Sequence, residues 1–480
     1  MARTRTPLIP TDSLPPAPPP DKLAAIVAAR IQRDVIALGW PVGHVFGIES
    51  ELLARYNVSR AVFREAVRLL EHMGVTATRR GPAGGLVITA PSSQAVVEAV
   101  LAYLTYTGVT LGEVMEARIA IERTVAGLAA ERADDDQIEQ MRKRAGFDSA
   151  RIRLHAQDHH ELHDLVSAAS KNPAAELFVQ VLGKLTARWS YPQATALERK
   201  AALDDSARAH RALVSAIASG NAALAERRMD RHLTLLADWL GRKRTAPRSL
   251  SWVLDRPDGE KLGRGVARAI MVDIVERGWT PGEMIGMESE LIQKYGVSRA
   301  AFREAVRLLE NFRIATMRRG PGGGLTVAAP TVGPIVRSAS VYLEFRRIRA
   351  ADLVEIERGL FRDVIALAVK RASNDELLQL RDVVRENAAQ QFQGPIEREL
   401  RSRVAELANN RAMLLFELVL QRLIRLHAAV PPRSSALRPG INTATETALN
   451  GIVDAMIERD VELAQRRWSR HLDATAKFLR

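Results

Sequence analysis

Four histidines in the first half of the chain have spacings that could build a metal centre. His159 and His163 lie one helical turn apart, so a helix through them turns both toward one point. His210 opens the segment HRALVSAIASGN, and His232 follows 22 residues later. If these segments form three neighbouring helices, four imidazoles can converge on one divalent transition metal. Solvated or capping histidines on basic helices are the alternative, and spacing alone does not choose between the two. A second set of residues has the chemistry of nucleic-acid contact. Ser59 can cap a helix beginning at Arg60 and turn its free N–H groups and positive dipole end toward a phosphate. Arg60, Ala61 and Arg64 lie at the exposed start of that helix, and an arginine there can take guanine O6 and N7 together. Arg79 and Arg80 precede a glycine-rich turn, where basic residues reach phosphate or the minor groove.

The elements that must position these residues follow from periodicity. Leu23, Ile26, Val27, Ile31 and Val35 predict a helix from about Lys22, ended by Gly39 and Pro41. Two short helices are expected over Ile48–Tyr56 and Arg60–Met73, with the turn at Tyr56-Asn57-Val58 and an inward face of Val62, Ala66, Leu69 and Leu70. A strand pair over 75–90 surrounds the Arg79–Gly85 turn, and Pro91 closes the unit. This is the layout of a winged helix-turn-helix, whose second helix offers its first residues to base edges. From residue 92 to 240 only amphipathic helical stretches follow, predicting a bundle of six or seven helices.

The scheme then occurs again. Residues 47–86, GIESELLARYNVSRAVFREAVRLLEHMGVTATRRGPAGGL, return at 286–325 as GMESELIQKYGVSRAAFREAVRLLENFRIATMRRGPGGGL. A repeat of such long period means a duplicated domain set and not a solenoid. The expected organisation is a disordered tail over 1–20, a head over 21–91, a bundle over 92–240, a basic linker over 241–259, a second head over 260–330 and a second bundle over 331–480. The fold class is mainly α: two winged helix-turn-helix heads, each followed by an all-helical bundle. Ser298, Arg299, Ala300, Arg303, Arg318 and Arg319 repeat the contact residues of the first head.

Composition narrows the function classes. There is no cysteine, which excludes disulfides and thiolate chemistry. A net charge of +13 favours polyanionic partners. No apolar run approaches the roughly 18 residues of a membrane span, and no secretory h-region follows Arg3 and Arg5, so a cytoplasmic, nucleoid-associated protein is expected.

The order of an apolar helix, G-x-x-x-x-x-E-x-E-L, V-S-R-x-x-x-R-E-A and a basic glycine-rich wing resembles the heads of the GntR family of bacterial transcription regulators. The helical bundle is similar to the FCD effector domain of its FadR subgroup. The resemblance implies that Ser59, Arg60, Ala61 and Arg64, with Ser298, Arg299, Ala300 and Arg303, read DNA. One position that is often basic in FadR-type heads is Ser50 here and Ser289 in the repeat. The resemblance also implies a metal held by His163, His210 and His232, with His159 where the family carries Asp, a substitution that favours Zn or Ni. Arg118 falls at an FCD arginine and would anchor a carboxylate effector, a surface ion pair with Glu122 being the alternative. The second bundle has Glu397, Arg401, Leu449 and His471 at the four metal positions and Glu357 at that of Arg118, so metal is expected in the first bundle only.

Taken together, the sequence predicts a single-chain pseudo-dimeric transcription regulator, a repressor, binding double-stranded DNA at a near-palindromic operator under control of a small carboxylate. A homodimer of the fused chain is a further arrangement it permits. The competing classes are an architectural DNA-binding protein without effector and a metal-dependent hydrolase. The latter lacks any paired base or nucleophile in the sequence.

Overall fold

A computed structural model describes residues 23–81, 84–145, 156–189, 195–242, 262–318, 320, 322–388, 393–427 and 439–477. The tail expected over 1–20, most of the linker expected over 241–259, and Arg319 lie outside the described residues.

Both halves open with the same motif. The first contains α1 (Leu23–Ala37), β1 (Val45–Gly47), α2 (Glu49–Tyr56), α3 (Arg60–His72), β2 (Thr76–Arg79) and β3 (Gly85–Ile88). In α1, Val27, Ile31 and Val35 recur at four-residue spacing and are buried. Asn57 ends α2 in the left-handed region at φ 51°, and Ser59 caps α3 by accepting a bond from Val62 N at 3.4 Å. The inward face of α3 is Phe63, Ala66, Val67 and Leu70, packed with Leu52, Tyr56, Leu86 and Ile88. Val62 and Leu69, expected in that face, are half-buried at its edges. The sheet has three strands in the order β1-β3-β2, all antiparallel. Its outer strand β1 was not expected from sequence, because three residues are too few to show an alternation.

The second half repeats this as α11 (Leu262–Glu276), β4 (Met284–Gly286), α12 (Glu288–Tyr295), α13 (Arg299–Asn311), β5 (Ala315–Met317) and β6 (Leu325–Val327), with sheet order β4-β6-β5. Gly296 takes the left-handed turn position at φ 62°, and Ser298 caps α13 at 3.2 Å. α4 (Ser93–Tyr106) and α14 (Val332–Phe345) follow the two heads.

The chain divides into two compact units, residues 1–106 with 249–347, and 107–248 with 348–480. The first holds both heads, and with them α4, which the sequence places at the start of the bundle. Here α4 and α14 cross to opposite heads. Phe345, after the second head, packs edge-on against Trp40 of the first at 5.6 Å, and Val341 joins that head's core. Tyr106, after the first head, packs on Trp279 of the second at 5.4 Å. Glu98 of α4 pairs with Arg268 of α11 at 2.9 Å, and both are largely buried.

The other unit contains the two bundles. The first comprises α5 (Leu111–Arg132), α6 (Asp135–Ala145), α7 (Ala156–Ala169), α8 (Pro173–Ala187), α9 (Ala196–Ala218) and α10 (Ala222–Arg242). The second comprises α15 (Ala350–Arg371), α16 (Asn374–Ala388), α17 (Gln393–Leu407), α18 (Arg411–His427), α19 (Pro439–Ile457) and α20 (Val461–Ala476). The bundles meet through α5 and α8 on one side and α15 and α18 on the other. Arg132 pairs with Glu355 and donates to Ser170 O; its counterpart Arg371 pairs with Glu116 at 2.5 Å and donates to Ala408 O. Asn172 Nδ2 donates to Asp352 O at 2.9 Å, and Asn410 Nδ2 donates to Glu113 O at 2.9 Å. The equivalent rings Phe178 and Phe416 stack on each other, centroids 4.1 Å apart. Each contact thus recurs with the roles of the halves exchanged, the signature of an isologous interface. A Cβ at Gly359 would overlap Thr124 Oγ1, so glycine is required where α15 crosses α5. No helix among the described residues is long and apolar enough to cross a membrane.

Candidate functional site

The head presents its charged residues as the periodicity requires. The spacing that buries Phe63, Ala66 and Leu70 leaves Arg60, Ala61 and Arg64 exposed, and the equivalent Arg299, Ala300 and Arg303 stand at the start of α13. Arg79, Arg80 and Arg318 are exposed on the wing. The wing turn depends on glycine at Gly84, where a Cβ would meet Arg79 O at 2.5 Å. In the second head, the recognition helix and wing enclose an open cleft of about 520 Å³ lined by Glu288, Arg303, Arg307 and Arg318. The arrangement puts capped helix ends and guanidinium groups on one face, which suits a polyanion.

An acidic partner to these arginines was not anticipated. Glu49 Oε1 accepts from Arg64 Nε at 3.2 Å and lies 3.4 Å from Arg60 Nε. Glu288 Oε1 accepts from Arg299 Nε at 2.9 Å and from Arg303 Nε at 3.4 Å. The hydrogen bond from Arg299 holds the Glu288 carboxyl below its usual range. The sequence signal was the first glutamate of E-x-E-L, which occurs in both copies. The second glutamate, Glu51 or Glu290, closes the first turn of its helix by accepting from Ile48 N or Met287 N.

In the first bundle, His163 on α7, His210 on α9 and His232 on α10 come together, all buried. Their candidate ligand atoms lie within 4.8 Å of one another. His210 Nε2 and His232 Nε2 are 3.2 Å apart. Two nitrogens bound to one tetrahedral ion at about 2.0–2.1 Å sit roughly 3.3 Å apart, so the spacing fits a shared ion. The side chain of His159 lies outside the described residues.

Glu122 completes this site from α5. Its Oε1 accepts from Arg118 Nε at 2.5 Å, and its Oε2 bonds His163 Nδ1. Burial alone would raise the Glu122 carboxyl, but the Arg118 charge and the hydrogen bonds from Arg118 and His163 hold it well below the usual range. An ionised Glu122 fixes Nδ1 as the protonated nitrogen and leaves Nε2 its lone pair, the orientation that a ligating histidine needs. The alternative of a surface pair between Arg118 and Glu122 is therefore corrected. The pair exists, but both residues are 1% exposed. Ile121, Val125 and Ala126 around Glu122 were the signal, since they put it on the buried face of α5. The terminal nitrogens of Arg118 have no protein partner among the described residues.

The second bundle builds something different at the matching place. Arg401 stands for His163, and its guanidinium lies 2.6 Å from Glu357, 2.7 Å from Glu417 and 3.7 Å from Glu397. Phe361 and Trp468 lie against it, each ring centroid 5.7 Å away. Leu449 stands fully buried where the first bundle has His210, and His471 contacts Glu397 at 3.2 Å. Arg401 thus lies among three carboxylates, Glu397 being the farthest. Glu417, a closer partner on α18, had no counterpart in the first bundle to point to it. Burial pushes the Glu357 carboxyl well above its usual range even beside Arg401. Among the described residues, only the first bundle groups three metal-ligating side chains.

The FCD domain family matches residues 113–235 and again 352–474. The family described as bacterial regulatory proteins, gntR family, matches residues 262–325, within the second head. The chain is 25% identical over 228 residues to the HTH-type transcriptional repressor NanR of Cronobacter sakazakii, covering 45% of this chain and 85% of that protein. It is 26% identical over 200 residues to the HTH-type transcriptional regulator LutR of Bacillus subtilis, covering 39% and 88% respectively. Among solved structures, Streptococcus agalactiae GntR aligns over 45% of this chain and 99% of its own, with 22% identity and a TM-score of 0.34. E. coli McbR/YncC covers 45% and 95% with 17% identity and a TM-score of 0.23.

Proposed function

The chain belongs to the GntR family of bacterial transcription regulators and carries the FCD domain twice, and from that premise we propose that a single polypeptide does the work of a dimer. It is a DNA-binding regulator with effector-binding domains, and not an enzyme. In the proposed reading, its two heads grip the two halves of a near-palindromic operator. The observation that carries this reading is the reciprocal interface, in which Arg132 pairs with Glu355 while Arg371 pairs with Glu116. Such exchange is what two identical subunits make about a twofold axis. Identical reading sets at 59–64 and 298–303, apart from Val62 and Ala301, support two similar half-sites. Ser59, Arg60, Ala61, Arg64, Arg79 and Arg80 contact DNA in one head, and Ser298, Arg299, Ala300, Arg303, Arg318 and Arg319 in the other. The protein acts as a repressor, as NanR is named.

Control lies in the first bundle. His163, His210 and His232, with His159 as the fourth imidazole, would hold a divalent transition metal, and an all-nitrogen donor set favours Zn or Ni. A bound ion would supply a positive pole to which a small carboxylate adds, while Arg118 offers that carboxylate its free terminal nitrogens. The effector then biases the heads to the extent that it binds one arrangement better than the other. The second bundle takes no metal, because Arg401 already places a cation among its carboxylates and Leu449 removes a ligand.

Selection of bound duplexes from a random pool, followed by light scattering and footprinting of the complex, tests this. One chain per duplex with two protected half-sites is expected. Arg64→Ala and Arg303→Ala should each cost about 1–3 kcal/mol of base discrimination in one half-site only. Two chains per duplex would replace the pseudo-dimer by a homodimer with four heads, and weak sequence preference would indicate an architectural protein.

A further inference from the structure

The arginines that read DNA are not loose in either head. In both, a single carboxylate oxygen at the start of the preceding helix takes the Nε side of two arginines one turn apart. Glu49 Oε1 holds Arg60 and Arg64, and Glu288 Oε1 holds Arg299 and Arg303. None of the four arginines has another partner among the described residues. Their side chains are more than 60% exposed, so among the described residues the glutamate is their one polar anchor. Arginine reads guanine with a fork of two N–H groups, and a guanidinium held by Nε keeps its terminal pair for that use. The same oxygen also offsets the repulsion between two cations that would otherwise splay apart.

We propose that Glu49 and Glu288 are specificity-determining positioning residues. Each presets the two recognition arginines of its head, so that less ordering remains to be done when the correct bases are met. Their charge also lowers the attraction of the head for DNA of any sequence. This rests on the reading of Arg60, Arg64, Arg299 and Arg303 as DNA contacts, and it makes a prediction opposite to simple electrostatics. Removing a negative charge beside phosphates would tighten binding to every duplex alike. Removing a positioning group tightens binding to unrelated DNA but not to the operator.

The experiment compares Kd for a pool-selected duplex and for its scrambled counterpart at several salt concentrations. It uses the full chain, the Glu49→Gln/Glu288→Gln variant and the Arg64→Ala/Arg303→Ala variant, with thermal melting to verify folding of these exposed substitutions. The glutamine variant should lose roughly tenfold in the ratio of the two affinities, a part of what two bidentate arginine contacts confer. Equal tightening on both duplexes, with the ratio unchanged, would overturn the positioning role. A switched base preference at one position would also overturn it, assigning the carboxylate a direct contact such as cytosine N4. If the alanine variant keeps the full ratio, the arginines do not read bases, and the failure belongs to the underlying reading.

Discussion

Replacing Arg401 with methionine would leave Glu357 and Glu417, neither with exposed surface, beside each other without a cation. The guanidinium now lies 2.6 and 2.7 Å from them, and burial keeps the Glu357 carboxyl well above its usual range despite that contact. Without Arg401 a further carboxyl has to take a proton. Protonating a group of ordinary pKa near 4.3 at pH 7.5 costs about 1.36 kcal/mol per pH unit, or roughly 4 kcal/mol. That agrees with the 3–5 kcal/mol typical of removing one partner from a buried pair. The deficit should therefore shrink to about 1.5 kcal/mol at pH 5.5, where the proton is easily supplied. Amide hydrogen exchange read by mass spectrometry separates the two bundles within one chain, so it can report the loss over α15–α20 against α5–α10. A deficit under about 1 kcal/mol, or one that does not change between the two pH values, would refute the view that Arg401 is the charge that spares this cluster a further proton.

The remaining predictions concern the first bundle and the interface. His210→Ala should abolish metal uptake while Leu449→Ala leaves it unchanged at one ion per chain, and two ions per chain by elemental analysis would defeat the asymmetric reading. Glu122→Gln should weaken metal binding by about 10- to 100-fold, as loss of an orienting carboxylate does elsewhere, measured by competition with a chelating dye. Acid should act oppositely on the two bundles. Glu122 is lowered on folding, so its contribution is present above the unfolded value and lost as pH falls toward the folded one; Glu357 is raised, so its bundle loses stability as pH rises above the unfolded value. Hydrogen exchange below about pH 4.5 reads the first and above it the second, and parallel behaviour would contradict the assignment. Arg371→Ala should loosen α5 and α15 together by about 1.5–3 kcal/mol, since it ends hydrogen bonds to both Glu116 and Ala408 O. Protection lost on one side alone would mean that the interface is not cooperative.

The heads were legible because their signals are local. Asn57 and Ser59 specify a turn and a cap within a few residues, and Ala66 with Leu70 the inward face, although Phe63 and Val67 fill it where Val62 and Leu69 were expected. The bundle helices were legible for the same reason, the six helices α5–α10 matching the six or seven that the amphipathic stretches predict. What stayed hidden depends on contacts far apart in the chain. Glu122 reads as half of an i, i+4 surface pair until α7 is folded over it and His163 reaches its free oxygen. Glu417 has no chemical hint in sequence, since it matters only once α17 brings Arg401 to α18. The crossing of α4 and α14 to opposite heads is likewise invisible locally, because the helices themselves read correctly and only their partners differ.

Fusion also explains how the two bundles could diverge at all. In a dimer of identical chains, any substitution at a ligand position removes both pockets together. Once both copies lie in one chain, the second can exchange His for Arg401 and Leu449 while the first keeps its three histidines and Glu122. The shared interface does not depend on the pocket chemistry, because Arg132, Asn172, Arg371 and Asn410 work through backbone carbonyls and the glutamates facing them. If, as proposed, the regulator has two heads and one sensing pocket, it has no second site with which to cooperate. Its response to effector should follow a simple hyperbola with a Hill coefficient of about 1, where a symmetric dimer with two pockets can approach 2. A steeper response of the isolated chain, measured by operator release against effector concentration, would require a second functional pocket and would make Arg401 a ligand-binding residue in place of a built-in cation.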